Sequence, residues 1–106
     1  MLTDKTILIK SIEKYANSIA SKFLGFSGIG SEMIINIAVN NLVNKYGNVI
    51  DIFIDKDGNI PNVNDLFDAF RNVLDDKGGI TIGNIKFTKD DISTIEKIFK
   101  DLKSKQ

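Results

Sequence analysis

The side chains with the clearest potential for chemistry are five aspartates between residues 51 and 68. They are Asp51, Asp55, Asp57, Asp65 and Asp68. Carboxylates that converge in space could bind a metal ion or carry out acid–base catalysis. The same residues are explained more simply as solvated acids on an outer sheet face and on a helix surface. The cluster alone therefore predicts surface acids and no catalytic centre.

The turn at residues 55–60 is the part of this cluster that comes nearest to a calcium-binding loop. An EF-hand loop needs oxygen ligands at positions 1, 3, 5 and 12, with glycine at position 6. If Asp55 takes position 1, Asp57 and Asn59 fit positions 3 and 5, but position 12 is Leu66, whose side chain has no oxygen. The alternative register, with the turn's glycine at position 6, has no oxygen ligand at position 1. We therefore predict an acidic turn and keep calcium binding as the third functional alternative.

A second candidate for chemistry is the glycine-rich stretch at residues 25–31. The N–H groups at a helix start can hold a phosphate, and glycines let the ligand approach the backbone. An anion site here would use Gly28, Gly30 and Ser31, with Lys22 nearby. The stretch lacks the glycine order of a dinucleotide fingerprint and the lysine of a P-loop, and a predicted helix precedes it instead of a strand. A connection between two helices is therefore favoured over a nucleotide site.

The composition excludes several chemistries outright. The chain of 106 residues contains neither cysteine nor histidine. It therefore has no disulfides, thiolate nucleophiles, imidazole bases or zinc sites of the usual kind. None of the serines, tyrosines or lysines has a recognisable activating partner in the sequence. We expect a protein that is not an enzyme and that uses no cofactor.

Charge and hydropathy narrow the classes of partner. The formal net charge is zero and the sequence pI is about 6.2, which disfavours nucleic-acid binding because such proteins usually carry a basic patch. The longest uncharged run, residues 33–44, is shorter than the ~20 apolar residues that a membrane-spanning helix needs. We find no signal peptide pattern and expect a cytoplasmic protein.

Two helices are predicted in the first half of the chain. Apolar residues at three- and four-residue spacing mark a helix over 4–23, with Thr3 as its N-cap. Ser31 is the predicted cap of a second helix over 31–46, and Gly47 is its predicted left-handed C-cap. Apolar side chains cover most of the circumference of this second helix.

The apolar second helix favours a protein that works by contact. A helix that is apolar nearly all round must either be central in the core or meet another chain. We favour self-association or docking on a partner protein over a fully internal helix, because so short a chain offers few elements to cover it. The predicted interaction surface comprises Phe26, Ile29, Met33, Ile34, Ile35, Val39, Leu42 and Val43.

The second half of the chain is predicted to contain three strands. Residues 49–54 alternate in the pattern of a strand, with Ile50, Ile52 and Ile54 on one face. Residues 80–87 predict a hairpin around a two-residue Gly-Asn loop. The hairpin register that buries one face pairs Ile80 with Phe87 and Ile82 with Ile85.

Two amphipathic helices flank this hairpin. The first is capped by Asn62 or Asn64, and the second by Thr88 with Asp91 at its third position. Their predicted apolar stripes are Val63, Leu66, Phe67, Phe70, Val73 and Leu74 in the first and Ile92, Ile95, Ile98, Phe99 and Leu102 in the second.

These elements predict an α+β fold in the order α-α-β-α-β-β-α. A small antiparallel or mixed three-stranded sheet would pack its apolar face against helices. We expect a single domain over 1–106, with a helical hairpin at 1–47 and a strand–helix–hairpin–helix unit at 48–106.

The second half also resembles short uncharacterised proteins of phages and prophages from AT-rich Gram-positive bacteria. The resemblance lies in residues 48–60, in the acidic amphipathic helix that follows, and in residues 85–92. It implies an accessory protein in the host cytoplasm, with no known active site to transfer. We therefore predict a non-enzymatic interaction protein that forms a homo-oligomer and binds another protein, for example as a phage accessory factor or an inhibitor of host defence. A nucleotide- or anion-sequestering module that uses the glycine-rich stretch is the alternative.

Overall fold

A computed structural model describes residues 2–23, 47–76, 80–82 and 85–106. In chain order its elements are helix α1 (Asp4–Phe23), helical residues 47–53 (α2), helix α3 (Val63–Asp76), strands β1 (Ile80–Ile82) and β2 (Ile85–Phe87), and helix α4 (Lys89–Ser104). The predicted helix at 31–46 and the glycine-rich stretch before it lie outside the described residues.

The predicted α+β fold with a three-stranded sheet is wrong, because its first strand is a helix. Residues 47–53 are helical, and Ile50 is buried while Phe53 and Ile54 pack against the core. The spacing 50, 53, 54 is that of one helix face, whereas the strand prediction used the alternation 50, 52, 54. A run of only six residues fits both the helical period of 3.6 and the strand period of 2. Packing against the other helices therefore decides whether the segment is a helix or a strand. The described residues form a helical core.

The described strands form only a two-stranded antiparallel ribbon. Ile80 lies opposite Phe87 and Ile82 lies opposite Ile85, which is the predicted register. The ribbon lies between α3 and α4 in chain order. The ribbon therefore serves as a connection between α3 and α4.

The core is built where α1, α3 and α4 meet. Each helix buries one apolar stripe, as three- and four-residue spacing predicts. The buried apolar residues are Ile7, Leu8, Ile12 and Ala16 from α1, Ile50 from α2, Ile60, Leu66, Phe67, Phe70 and Leu74 from the turn and α3, and Ile92, Ile95 and Phe99 from α4. At the centre the rings of Phe67 and Phe99 meet edge to face, with their centroids 5.8 Å apart.

The helix starts follow the predicted capping chemistry. Thr3 Oγ1 accepts a hydrogen bond from the backbone N–H of Thr6 at 3.2 Å, which caps α1 as predicted. At the start of α4, the N–H of Thr88 donates to Asp91 Oδ2 at 2.5 Å. The prediction for Gly47 is wrong: this residue is helical and begins the described part of α2, and its φ is not positive.

Candidate interaction surface

The most exposed large apolar side chain among the described residues is Ile52 in α2. It is 77% exposed, although the neighbouring Ile50 is buried. Because α2 turns by 100° per residue, Ile50 and Phe53 share the inner face and Ile52 lies on the outer one. An exposed isoleucine contributes nothing to this chain's own core, but it can contribute to a contact with another apolar surface.

The predicted interaction surface lies in a part of the chain outside the described residues. All eight of its residues, from Phe26 to Val43, lie outside the described residues, as do Gly28, Gly30 and Ser31 of the predicted anion site. Lys22, the remaining residue of that site, is in the last turn of α1. Ile52 follows the predicted surface by nine residues along the chain.

The turn that follows α2 uses its first aspartate to organise its own backbone. Asp55 Oδ1 accepts hydrogen bonds from the N–H groups of Asp57 and Asn59, both at 2.9 Å. The turn closes with the N–H of Asp55 donating to the carbonyl of Asn59, also at 2.9 Å. Gly58 takes the one positive φ among the described residues, +81°. The three candidate calcium ligands therefore form a tight Asx-type turn.

The five aspartates of the sequence prediction do not form one cluster. Asp68 is paired with Arg71, and Asp51, Asp55, Asp57 and Asp65 are exposed at the surface. Within the ranges that the structure describes, no three acidic residues lie close enough together to hold a metal ion.

A different aspartate, Asp4, lies at the junction of three segments of the chain. Its residue is only 7% exposed. Asp4 Oδ2 accepts a hydrogen bond from the N–H of Ile60 at 2.9 Å. The same oxygen forms an ion pair with Lys103 Nζ at 3.1 Å. A buried carboxylate is tolerated when it has such partners. We call Asp4, the Ile60 N–H and Lys103 the clasp.

An open cleft of about 410 Å³ runs beside the clasp. Its lining residues include Leu2, Asn59, Pro61 and Gln106 in addition to the clasp itself. The charges that face this cleft, those of Asp4 and Lys103, are paired with each other. Lys103 is the exposed member of this pair, since its side chain is 46% exposed and that of Asp4 is 10% exposed.

A second polar contact joins α1 to the start of α4. The hydroxyl of Tyr15 donates a hydrogen bond to Asp91 Oδ1, while Oδ2 of the same carboxylate holds the Thr88 N–H. Partial burial of the phenol raises the pKa of Tyr15, and the hydrogen bond to Asp91 and the negative charge of its carboxylate raise it further. The phenol is therefore held as a neutral donor.

The single arginine of the chain connects α3 to α4. Arg71 pairs with Asp68 at 2.7 Å within α3 and with Glu96 of α4 at 2.9 Å. Its half-buried guanidinium is held in place by carboxylates on two helices. The contact explains Arg71 as a structural residue.

None of the described helices is both long and apolar enough to cross a membrane.

Sequence reasoning missed the two features that the structure brings forward. Ile52 was assigned to the buried face of a strand, although the helical spacing of Ile50, Phe53 and Ile54 was available as a signal. The pairing of Asp4 with Lys103 has no local signal, because the two residues lie 99 positions apart in the chain.

Comparisons of the chain with protein-family models, with curated proteins and with solved structures found no match. The resemblance to short phage proteins therefore stays a prediction.

Proposed function

We propose that this chain is a non-enzymatic interaction protein that self-associates and binds a partner protein. The observation that carries the proposal is the 77% exposure of Ile52 on a helix whose Ile50 is buried and whose Phe53 packs against the core. Residues 33–43 form an uncharged and mostly apolar run that precedes residues 47–53 in the chain, and they extend the proposed surface in sequence. Contact surfaces of this kind have apolar centres with polar residues around them.

Several polar side chains of the described structure hold the fold itself together. Tyr15, Asp91, Arg71 and Glu96 hold helices together, and Asp55 holds its own turn. Each of these five side chains has a structural partner that accounts for its presence.

Self-association is tested by replacing Ile52 with lysine. The charge would have to be buried in the proposed interface, and the apolar contact would be lost. An isoleucine buried at an interface contributes roughly 1.5–3 kcal/mol, so the dissociation constant is expected to rise by about tenfold or more. Light scattering over a concentration series measures it.

The matched control is Asn72→Lys on the exposed face of α3. It adds the same charge to a different helix, so the proposal expects it to associate like the wild type. Equal association of wild type and Ile52→Lys would place the interface elsewhere and refute the role of Ile52.

Partner binding is tested with the same pair of variants. In the setting that the phage resemblance implies, the partner would be a protein of the bacterial host. Affinity capture from host extract, read by mass spectrometry, should recover one protein with wild type and Asn72→Lys that Ile52→Lys does not retain. A protein captured equally by all three variants would not use this surface.

A further inference from the structure

The residues of the clasp connect the end of the turn that follows α2 to the start of α1 and to α4 by polar contacts, in addition to the burial of Ile60 in the core. Asp4 holds Ile60, and two neighbouring contacts act on the same turn. The N–H of Lys5 donates to the carbonyl of Gly58 at 3.0 Å, and Thr3 lies against Gly58, where an added Cβ would stand 3.2 Å from it. The start of α1 therefore contacts the turn that follows α2 at several points.

On its inner face, α2 has few anchors among the described residues. Ile50 is buried, and Phe53 and Ile54 are only partly buried. By contrast, α1, α3 and α4 each bury three or more apolar residues in their shared core. Segments with few buried apolar contacts open at lower free energy than the core around them. The contacts on the following turn therefore add to the anchoring that residues 47–53 have through Ile50 and Phe53.

The members of the clasp depend on one another, because each leaves a buried group without its partner when it is removed. Removal of Lys103 leaves a buried carboxylate without its countercharge, and removal of Asp4 leaves the Ile60 N–H without its acceptor. Either loss costs more than an ordinary surface ion pair, because the group left behind is shielded from water. The four hydrogen bonds inside the turn at 55–59 are independent of the clasp. The internal hydrogen bonds of the turn would therefore survive the loss of the clasp.

We propose that the clasp is a latch that fixes α2 on the three-helix core and thereby holds Ile52 in its outward position. With the clasp closed, α2 and the 55–60 turn are held against α1 and α4. With the clasp open, α2 and the turn separate from the core locally while α1, α3 and α4 stay packed. The fixation of α2 is inferred from the contacts of Asp4. The effect of this fixation on binding through Ile52 rests on the proposed function.

Hydrogen–deuterium exchange resolved by peptide tests the latch. In Asp4→Ala the amides of residues 47–53 should exchange roughly tenfold faster than in the wild type, since a hydrogen-bonded ion pair contributes at least that factor to local opening. Amides in the middle of α3 and α4 should change little. Asp4→Asn keeps an acceptor for the Ile60 N–H and loses the ion pair, so its effect should be smaller and in the same direction.

The matched control is Asp101→Asn, which removes the exposed ion pair to Lys105 on α4 at 3.1 Å. It should leave exchange in residues 47–53 unchanged. Unchanged exchange of 47–53 in Asp4→Ala would overturn the latch. An equal rise in all helices would overturn it too, because the clasp would then stabilise the whole fold and not α2.

Sedimentation of the same variants separates the latch from the proposed function. Faster exchange of 47–53 together with weaker self-association supports both. Faster exchange in a protein that is monomeric at every concentration supports the latch and contradicts the proposed function. Normal exchange in a protein that associates through Ile52 contradicts the latch alone.

Discussion

The hydroxyl of Tyr15 donates a hydrogen bond to the carboxylate of Asp91, and this contact joins the middle of α1 to the first turn of α4. The same carboxylate holds the N–H of Thr88, so one side chain both caps α4 and attaches it to α1. Helix capping and helix packing are therefore coupled at this corner of the fold.

We expect Tyr15→Phe to reduce the free energy of unfolding by about 1–2 kcal/mol. The ring and its packing remain, while a hydrogen bond to a charged group is lost, and partial exposure keeps the effect modest. Urea unfolding followed by circular dichroism measures the change. Asp91→Asn should cost more, because it also weakens the cap. A Tyr15→Phe protein as stable as the wild type would show that the contact contributes nothing.

Stability should fall at alkaline pH in a way that depends on Tyr15. Its pKa is raised in the folded chain, so the folded state binds the phenolic proton more tightly than the unfolded state does. The stabilisation is complete below the ordinary tyrosine pKa of about 10 and is lost progressively as the pH rises above it.

The comparison of wild type with Tyr15→Phe isolates this effect from the lysines, which titrate in the same range. Their difference in unfolding free energy should shrink as the pH rises above about 10. A difference that stays constant or grows with pH would contradict the assigned environment of the phenol.

Two glycines offer a paired test of the backbone. Gly58→Ala should destabilise the protein by about 1–2 kcal/mol, because the left-handed backbone disfavours a side chain. Its Cβ would also stand 3.2 Å from Thr3. Gly47→Ala should be neutral or stabilise by up to about 1 kcal/mol, because Gly47 is helical with open space around it. Thermal unfolding of both variants checks the pair, and a reversed order would contradict the described turn.

The long amphipathic helices were predictable because local pattern and packing agree. The stripe from Val63 to Leu74 and the stripe from Ile92 to Leu102 each span several turns, so the helical period is unambiguous. The capping residues Thr3 and Thr88 fixed where two helices begin. For these elements the local sequence is sufficient.

The segment at 49–54 was not predictable in the same way. Its β-branched residues favour a strand, and six positions are too few to separate a period of 2 from one of 3.6. Packing against the core makes the choice: Ile50 and Phe53 meet it from one face of a helix, and Ile54 meets it from the residue that follows the helix. The same choice exposes Ile52, so the error in fold class and the missed surface residue have one cause.

The sequence predicted that the site is an apolar contact surface, but it did not predict which described residues form it. An excess of apolar residues before α2 suggested a protein that works by contact, and Ile52 adds a described residue to that hypothesis. The clasp could not be foreseen, because the partners of Asp4 are distant in sequence and become neighbours only when α1 and α4 pack.

The central claim is that this chain associates with itself through the surface that includes Ile52. The most direct test is the weight-average sedimentation coefficient of the wild type from about 1 μM to about 1 mM, a range that covers roughly 4 kcal/mol of association free energy. We predict that the coefficient rises with concentration in the wild type and in Asn72→Lys, and that the rise is shifted to higher concentration by tenfold or more in Ile52→Lys. A wild-type coefficient that stays at the monomer value over the whole range would contradict the claim.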